Sequence, residues 1–332
     1  MFDASDGDWK REFVRLLEKA TVANNMGARA VELKNTHLPE RICRYRKDSE
    51  HSRSNLTDDA VWLSSPDDYN DPFDCQTKVI LGSVETALAR ASVRGFFTNT
   101  LRPSNLEVAP ARIERNIGES IETFTNRLVE QFRVKLPALA ASRATIIPSH
   151  FAQVLPTFAT EAKQKAGMFR GLTKACSFSE RNDSILMWSH YADYHRGFCV
   201  EYDLSAVPVN HQFRNTLYPI IYSKSLYDST PLIVDWIEQA RDNWNPFFPL
   251  LGFIHKADEW SYEKEWRLLF VTPNSEPNHA WTAPKPVRIF LGACMKGEAE
   301  KEIQAMAVQK SIEVYKMNRA DDSFSLIPQR LH

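Results

Sequence analysis

Apolar residues recur at helical spacing at the start of the chain and again in its middle. Over residues 8–20 they fall at i, i+4, i+7, i+8 and i+11, which predicts an amphipathic helix. A longer stripe, with spacings of three or four residues, consists of Ile113, Ile117, Ile121, Phe124, Leu128 and Phe132. Residues 81–170, which surround this stripe, hold several helical patterns and hardly any strand pattern. They are therefore predicted to form a helical insertion.

Short apolar or alternating runs on both sides of the insertion predict strands. Two runs precede it, over residues 42–46 and 60–64. The runs that follow it are residues 175–179, 198–202, 219–222, 263–271, 287–291, 312–315 and 324–327. Helices are predicted between them, over residues 184–194 and 297–309.

Strand-rich ends around a helical middle are typical of an α+β domain that carries an insertion. We predict an α+β fold with a central mixed or antiparallel sheet and an inserted helical lobe. The predicted divisions are residues 1–36, an N-terminal helical segment; residues 37–80 and 171–332, the core domain; and residues 81–170, the insertion.

Composition and charge exclude some classes of protein. A hydrophobic share of 43% and a charged share of 25% are ordinary for a globular protein with a core. The net charge of −1 argues against a general nucleic-acid coat protein, which would be far more basic. The five cysteines form no C-x-x-C pair, so neither a zinc cluster nor a disulfide framework is expected. Without a long apolar run or a cleavage signal, no membrane segment is predicted, and the expected location is cytoplasmic.

Four segments far apart in the sequence are rich in residue types that bind and transform polar ligands. They are residues 45–46, 69–74, 187–197 and 260–267. The candidate site residues in or near these segments are Tyr45, Arg46, Ser64, Asn70, Asp71, Phe73, Trp188, His190, Tyr191, Glu263, Glu265 and Arg267. A shared cleft is the simplest reason for so many polar and aromatic groups on core elements, and Arg46, Asp71, Tyr191 and Glu265 are predicted to converge there.

The last of these segments admits two interpretations. If residues 263–271 form a strand, Glu263, Glu265 and Arg267 project from one face. They then form either an exposed ladder of charges or the wall of a charged cleft. The apolar residues that follow on both faces favour a central strand, where two carboxylates would carry a large desolvation cost. The cleft wall is therefore the working hypothesis.

The other segments also have structural alternatives. Trp188, His190 and Tyr191 suit an aromatic shelf for a base or a nicotinamide ring, or equally a packed core. The loop at residues 69–74 either caps its own backbone or presents Asp71 and Asp74 to a ligand.

Taken together, the motifs resemble a bacterial family known as domain of unknown function 2971. They read Y-R, N-D-P-F-D, M-W-S-H-Y-A-D-x-H-x-G-F-C-V-E-Y-D and K-x-x-x-W-x-Y-E-K-E-W-R, and they span residues 38–327. The helical middle matches none of them. This resemblance implies fold-level kinship rather than an activity.

A looser resemblance is to ADP-ribosyltransferases, which carry an early Arg, a middle Ser or Tyr segment and a late E-x-E strand. It implies an ADP-ribosyltransferase-like fold and NAD as substrate. Arg46 would anchor the pyrophosphate, Tyr191 or Trp188 would be the nicotinamide shelf, Glu265 the catalytic carboxylate and Glu263 the group that orients the acceptor. The chain departs from the pattern, because it has no S-T-S triplet and because Arg44 competes with Arg46 for the role of anchor.

Three functions follow as expectations. The first is NAD-dependent ADP-ribosyl transfer to a macromolecular acceptor, nucleic acid or protein, by analogy with toxins and phage-defence effectors. The second is a metal-dependent nuclease or phosphoesterase that uses Asp71, Asp74, Glu263 and Glu265 around Mg²⁺. The third is a module that senses a nucleotide or peptide without turnover. The sequence predicts neither the acceptor nor the oligomeric state.

Overall fold

The computed structural model describes residues 4–101, 114–134, 157, 160, 170–238, 245–272 and 277–332. Its helices are α1 Ala4–Glu18, α2 Met26–Thr36, α3 Glu50–Thr57, α4 Leu81–Leu101, α5 Ile121–Val134, α6 Ile185–Tyr191, α7 Gln212–Asn215, α8 Thr230–Glu238, α9 Phe248–Leu251 and α10 Glu298–Gln309. Its strands are β1 Arg41–Arg46, β2 Ala60–Leu63, β3 Thr77–Lys78, β4 Thr173–Ser179, β5 Phe198–Asp203, β6 Leu217–Pro219, β7 Ile221–Ser223, β8 Tyr227–Asp228, β9 His255–Ala257, β10 Glu265–Val271, β11 His279–Thr282, β12 Arg288–Leu291, β13 Glu313–Arg319 and β14 Leu326–Arg330. No helix in these ranges is long and apolar enough to cross a membrane.

An eight-stranded sheet forms the centre of the fold, in the order β14-β13-β12-β5-β1-β4-β10-β6. Its strands pair antiparallel, except for the parallel pair β12 and β13. Helices together with a large mixed sheet confirm the predicted α+β class.

Two neighbouring strands near the middle of the sheet, β1 and β4, part soon after they meet. β1 pairs with β5 over its whole length but with β4 only at Cys43 and Ser179. β4 instead pairs with β10 from Ser179 to Thr173. Beyond the single contact, residues 44–46 and 175–178 face a gap rather than each other.

The helices of the predicted insertion pack into the body of the protein. Val84 and Leu88 of α4 and Phe124 and Leu128 of α5 belong to one apolar cluster with α1, α2, α8 and α9. The predicted stripe begins only at α5, because Ile117 lies in the preceding turn and is fully exposed. The side chains of Ile113 and Phe132, and most of residues 135–169, lie outside the described residues. The division into domains stays a prediction.

Two boundaries differ from the sequence prediction for backbone reasons. Glu263 ends a 3-10 turn, Asp258–Glu263, and Lys264 has a left-handed φ of 46°, so β10 starts two residues later than predicted. Helix α6 ends at Tyr191 rather than at residue 194, because Asp193, Tyr194 and His195 all have positive φ. His195 therefore does not share a helical face with Tyr191.

Candidate functional site

A cleft of about 760 Å³ opens where β1 and β4 part. Its lining includes the following predicted site residues: Tyr45, Arg46, Ser64, Asn70, His190, Tyr191, Glu263 and Glu265. Side chains that are up to about two hundred positions apart in the chain thus share one cavity. The topology of the sheet brings them together, because the first strand in sequence lies at its middle.

Four other predicted residues do not line the cleft, and Asp71 therefore does not converge there with Arg46, Tyr191 and Glu265 as predicted. Asp71 accepts a hydrogen bond from the backbone N–H of Phe73 at 2.8 Å, which is the self-capping alternative. Phe73 is 68% exposed outside the cleft. The fully buried Trp188 donates from Nε1 to the Asn182 carbonyl oxygen, so its ring has no face for a ligand. Arg267 is also fully buried, behind Glu265.

One wall of the cleft carries a buried network of charges centred on Lys256. Its Nζ donates to Glu263 Oε2 at 2.7 Å and to Glu265 Oε2 at 2.9 Å, and it lies 3.7 Å from Asp74 Oδ2. The hydroxyl of Tyr191 donates to the remaining oxygen of Glu263 at 2.7 Å. Both glutamates are only 3% exposed.

Arg267 completes the network on the side away from the cleft. It makes a bidentate pair with Asp74 at 3.1 and 3.0 Å and donates from Nε to Glu265 Oε1 at 2.9 Å. Its guanidinium also donates to the Phe253 carbonyl oxygen and lies over the ring of Tyr69. Three carboxylates against two cations give the wall a negative charge when all of them are ionised.

The two glutamates respond to this environment in opposite ways. Burial opposes the charge of Glu265, but Arg267 and Lys256 outweigh burial and lower its pKa to about 2. The pKa of Glu263 is raised, first by burial and then by the charge of Glu265. The pKa of Lys256 is raised, because the two glutamates outweigh the effect of burial. Glu263 is thus the member of the network whose charge is least stabilised.

The same arrangement gives no support to a magnesium site. The Lys256 ammonium occupies the space among Asp74, Glu263 and Glu265 where a divalent cation would need to lie. In the part of the chain that the structure describes, no group of three or more His, Cys, Asp or Glu residues is placed to hold a metal ion. Asp71, the fourth ligand of the nuclease hypothesis, lies outside the cleft.

The opposite wall carries two arginines of β1. Arg44 and Arg46 lie on one face of this strand, and burial lowers the pKa of both. Arg44 has a pKa of about 9, lowered next by the charge of Arg46, and its guanidinium lies over the Phe178 ring. Neither arginine has a carboxylate partner among the described residues. His51 nearby has a pKa lowered by burial and then by both arginines.

Sequence reasoning missed several residues of this site. Lys256 opens the last motif, and its position a few residues before two glutamates was the available signal. Asp74 was considered only as a metal ligand and Arg44 only as an alternative to Arg46. Tyr69 lies in the segment 69–74 but was not chosen as a site residue, and no local pattern points to His51 as a cleft residue.

Comparison with known families identifies the part of the chain that carries the negative wall. Residues 187–268 match the model of the family described as "Protein of unknown function (DUF2971)". The predicted family resemblance is thereby confirmed. The DUF2971 region contains Tyr191, Lys256, Glu263, Glu265 and Arg267, whereas β1 and its arginines precede it. No curated protein and no solved structure matches the chain, so the resemblance to ADP-ribosyltransferases stays a prediction.

Proposed function

We propose that the protein transfers ADP-ribose from NAD⁺ to an acceptor in the cleft between β1 and β4. The observation that carries the proposal is the opposite charge of the two walls. Arg44 and Arg46, which lack a carboxylate partner among the described residues, face a wall with excess negative charge that includes Glu263. NAD⁺ has the complementary pattern, with an anionic diphosphate at its centre and a cationic nicotinamide ribose at one end. A volume of about 760 Å³ is in the range of pockets that take ligands of this kind.

The chemistry divides between the two walls. The bond between ribose C1′ and the nicotinamide nitrogen breaks, and nicotinamide leaves with the electron pair of that bond. An acceptor nucleophile forms the new bond to C1′ and gives its proton to Glu263. A carboxylate beside C1′ stabilises the oxocarbenium-like centre, and Arg46 holds the diphosphate so that the ribose is correctly placed.

This proposal reverses the roles expected from the E-x-E resemblance. The charge of Glu265 is already matched by both Lys256 and Arg267. Glu263 shares Lys256 and accepts a hydrogen bond from the neutral hydroxyl of Tyr191. Its charge is therefore the more available to a cationic centre, and its raised pKa suits the transfer of a proton. The shelf for nicotinamide passes to Tyr191, since Trp188 is buried.

The test is nicotinamide release from NAD⁺ by the full chain and by Glu263→Gln. Gln keeps the shape of the side chain and removes its charge, so we expect a loss of about 10²–10³ in rate. Glu259→Gln is the matched control, because Glu259 lies in the same 3-10 turn and is exposed. Release should persist in the presence of a chelator. Equal release by wild type and Glu263→Gln, or no release by wild type, would contradict the proposal.

One observation favours binding without turnover as a second candidate. Both carboxylate oxygens of Glu263 and of Glu265 already accept hydrogen bonds from the protein. A ligand must displace one of these bonds before either carboxylate can reach it. Binding of NAD⁺ by calorimetry with no nicotinamide release would favour this sensing function.

A further inference from the structure

We propose that the inner end of the cleft is an oxyanion subsite, in which Arg44 and the hydroxyl of Tyr69 bind a phosphate group. Both side chains line the cleft. The inference concerns binding alone and does not rest on the proposed reaction with NAD⁺. A phosphate site at Arg44 would exist whether or not Glu263 does chemistry.

The buried charge of Arg44 destabilises the fold when no anion is bound beside it. Its Nη1 is buried and has no hydrogen-bond partner in the described ranges. The one hydrogen-bond acceptor of Arg44 among the described residues is the Trp62 carbonyl oxygen, at a long 3.4 Å from Nη2. Arg46 two residues away adds repulsion between like charges on the same face of β1. A buried guanidinium normally has a carboxylate partner, so its absence among the described residues indicates a ligand that supplies the negative charge.

Tyr69 presents a second unused donor to the same space. Its hydroxyl is buried, and no described residue accepts a hydrogen bond from it. Burial is the largest of the effects that raise its pKa, so the hydroxyl stays protonated and can donate. The guanidinium of Arg267 lies over the face of the Tyr69 ring. Two unsatisfied polar groups at one cavity are unusual, because each carries a desolvation penalty.

The donors select the class of ligand. Arginine matches the tetrahedral oxygens of phosphate with paired N–H groups, and a neutral tyrosine hydroxyl adds one more donor. Arg46 and Lys47 on the same strand and its continuation extend the positive region toward the mouth of the cleft. A ligand with more than one negative charge, such as a diphosphate, therefore fits better than a single carboxylate.

The experiment compares anion binding and stability in the full chain. Calorimetry with inorganic pyrophosphate, ADP and adenosine separates the free anion from the phosphate of a nucleotide. Wild type should bind pyrophosphate and ADP but not adenosine. Arg44→Met should weaken pyrophosphate binding by roughly 10- to 100-fold, and Tyr69→Phe by a smaller factor. Arg319→Met, which removes a charge at the exposed end of β13, should bind as wild type does.

Melting curves distinguish a ligand site from a structural role. If Arg44 binds an anion and does not stabilise the unliganded fold, the unliganded Arg44→Met and Tyr69→Phe proteins should melt at or above the wild-type temperature. Pyrophosphate should raise the melting temperature of wild type but not of Arg44→Met. A lower melting temperature in both variants together with unchanged pyrophosphate affinity would overturn the proposal. So would wild type that binds neither pyrophosphate nor ADP, or that binds adenosine as tightly as ADP.

Discussion

Glu263 and Glu265 both accept a hydrogen bond from the Lys256 ammonium, yet their charges have opposite effects on the stability of the fold. The difference comes from Arg267, which pairs with Glu265 but not with Glu263. A glutamate with a lowered pKa stabilises the fold when ionised, whereas one with a raised pKa opposes folding when ionised. Functional carboxylates are commonly held in the second condition.

This difference predicts opposite effects of two similar substitutions. Glu263→Gln should leave the free energy of unfolding unchanged or raise it, because it removes a charge that the fold does not favour. Glu265→Gln should lower it by about 3 kcal/mol, since Arg267 and Lys256 lose a buried partner. Urea unfolding of both variants at pH 7 measures the difference.

The pH dependence provides an independent check on Glu265. Its folded pKa of about 2 lies below the ordinary 4.5, so its contribution is complete above about pH 4.5 and is lost as pH falls toward 2. Glu265→Gln should therefore show a flatter loss of stability over that interval than wild type. Equal stability of the two Gln variants at pH 7 would show that the network does not distinguish the glutamates.

The sequence predicted both glutamates but not the ions around them. The E-x-E-x-R pattern places the two acids and Arg267 close together, and a strand-like reading is enough for that. The pair between Asp74 and Arg267 joins positions 193 residues apart, which no local pattern encodes. The opposite pKa shifts of the two glutamates depend on their burial and on the position of Lys256 and Arg267 beside them, which the sequence pattern does not contain.

At the scale of elements, the strands of the eight-stranded sheet were predicted within a few residues, whereas β3, β8, β9 and β11 were not predicted. The site, however, depends on where two strands of that sheet separate. Apolar runs identify β1, β4, β5 and β10 because these strands are buried on the central sheet. The parting of β1 from β4 is a matter of register, which a pattern of apolar residues does not contain. Positive φ at Lys264 and Asp193 likewise shortens two predicted elements without any glycine as a signal.

A contact between α2 and α7 gives a prediction at this scale. The buried Lys34 of α2 donates from Nζ to the carbonyl oxygens of Arg214, Asn215 and Leu217. Lys34→Met leaves these three carbonyls without that donor and should lower the free energy of unfolding by about 2 kcal/mol. Lys224→Met, at an exposed position, is the matched control in the same denaturation experiment.

The protonation of Lys34 adds a pH signature. Burial, and then the charge of Arg214, lower its pKa to about 7 from 10.5. The unfolded chain therefore binds the proton more tightly, so wild-type stability should rise between pH 7 and 10. The rise should be smaller in Lys34→Met. A parallel pH dependence for both proteins would mean that Lys34 keeps an ordinary pKa in the fold.

At the scale of the molecule, the helices α4 and α5 share their apolar faces with the rest of the protein. Phe124 is fully buried in a cluster that also contains Phe13 of α1 and Leu269 of β10. Arg90 and Arg127 lie over its ring. A lobe that folds by itself would bury its apolar residues mainly against one another, so this packing favours a single cooperative unit.

Truncation of that side chain decides between one unit and two. Phe124→Ala should lower the stability of the whole chain by about 3–5 kcal/mol and keep one unfolding transition, because the cavity lies in a shared core. Far-UV circular dichroism and tryptophan fluorescence should then report the same midpoint in urea. Phe324→Ala is the matched control, since the Phe324 side chain is fully exposed and its loss creates no cavity. If α4 and α5 form an independent lobe, the two probes will separate, with an early transition followed by one at the wild-type midpoint.

The cleft lies on strands that share this core through Ala175 and Leu269. Pyrophosphate binding should therefore be lost in the same transition as the helical signal and not after it.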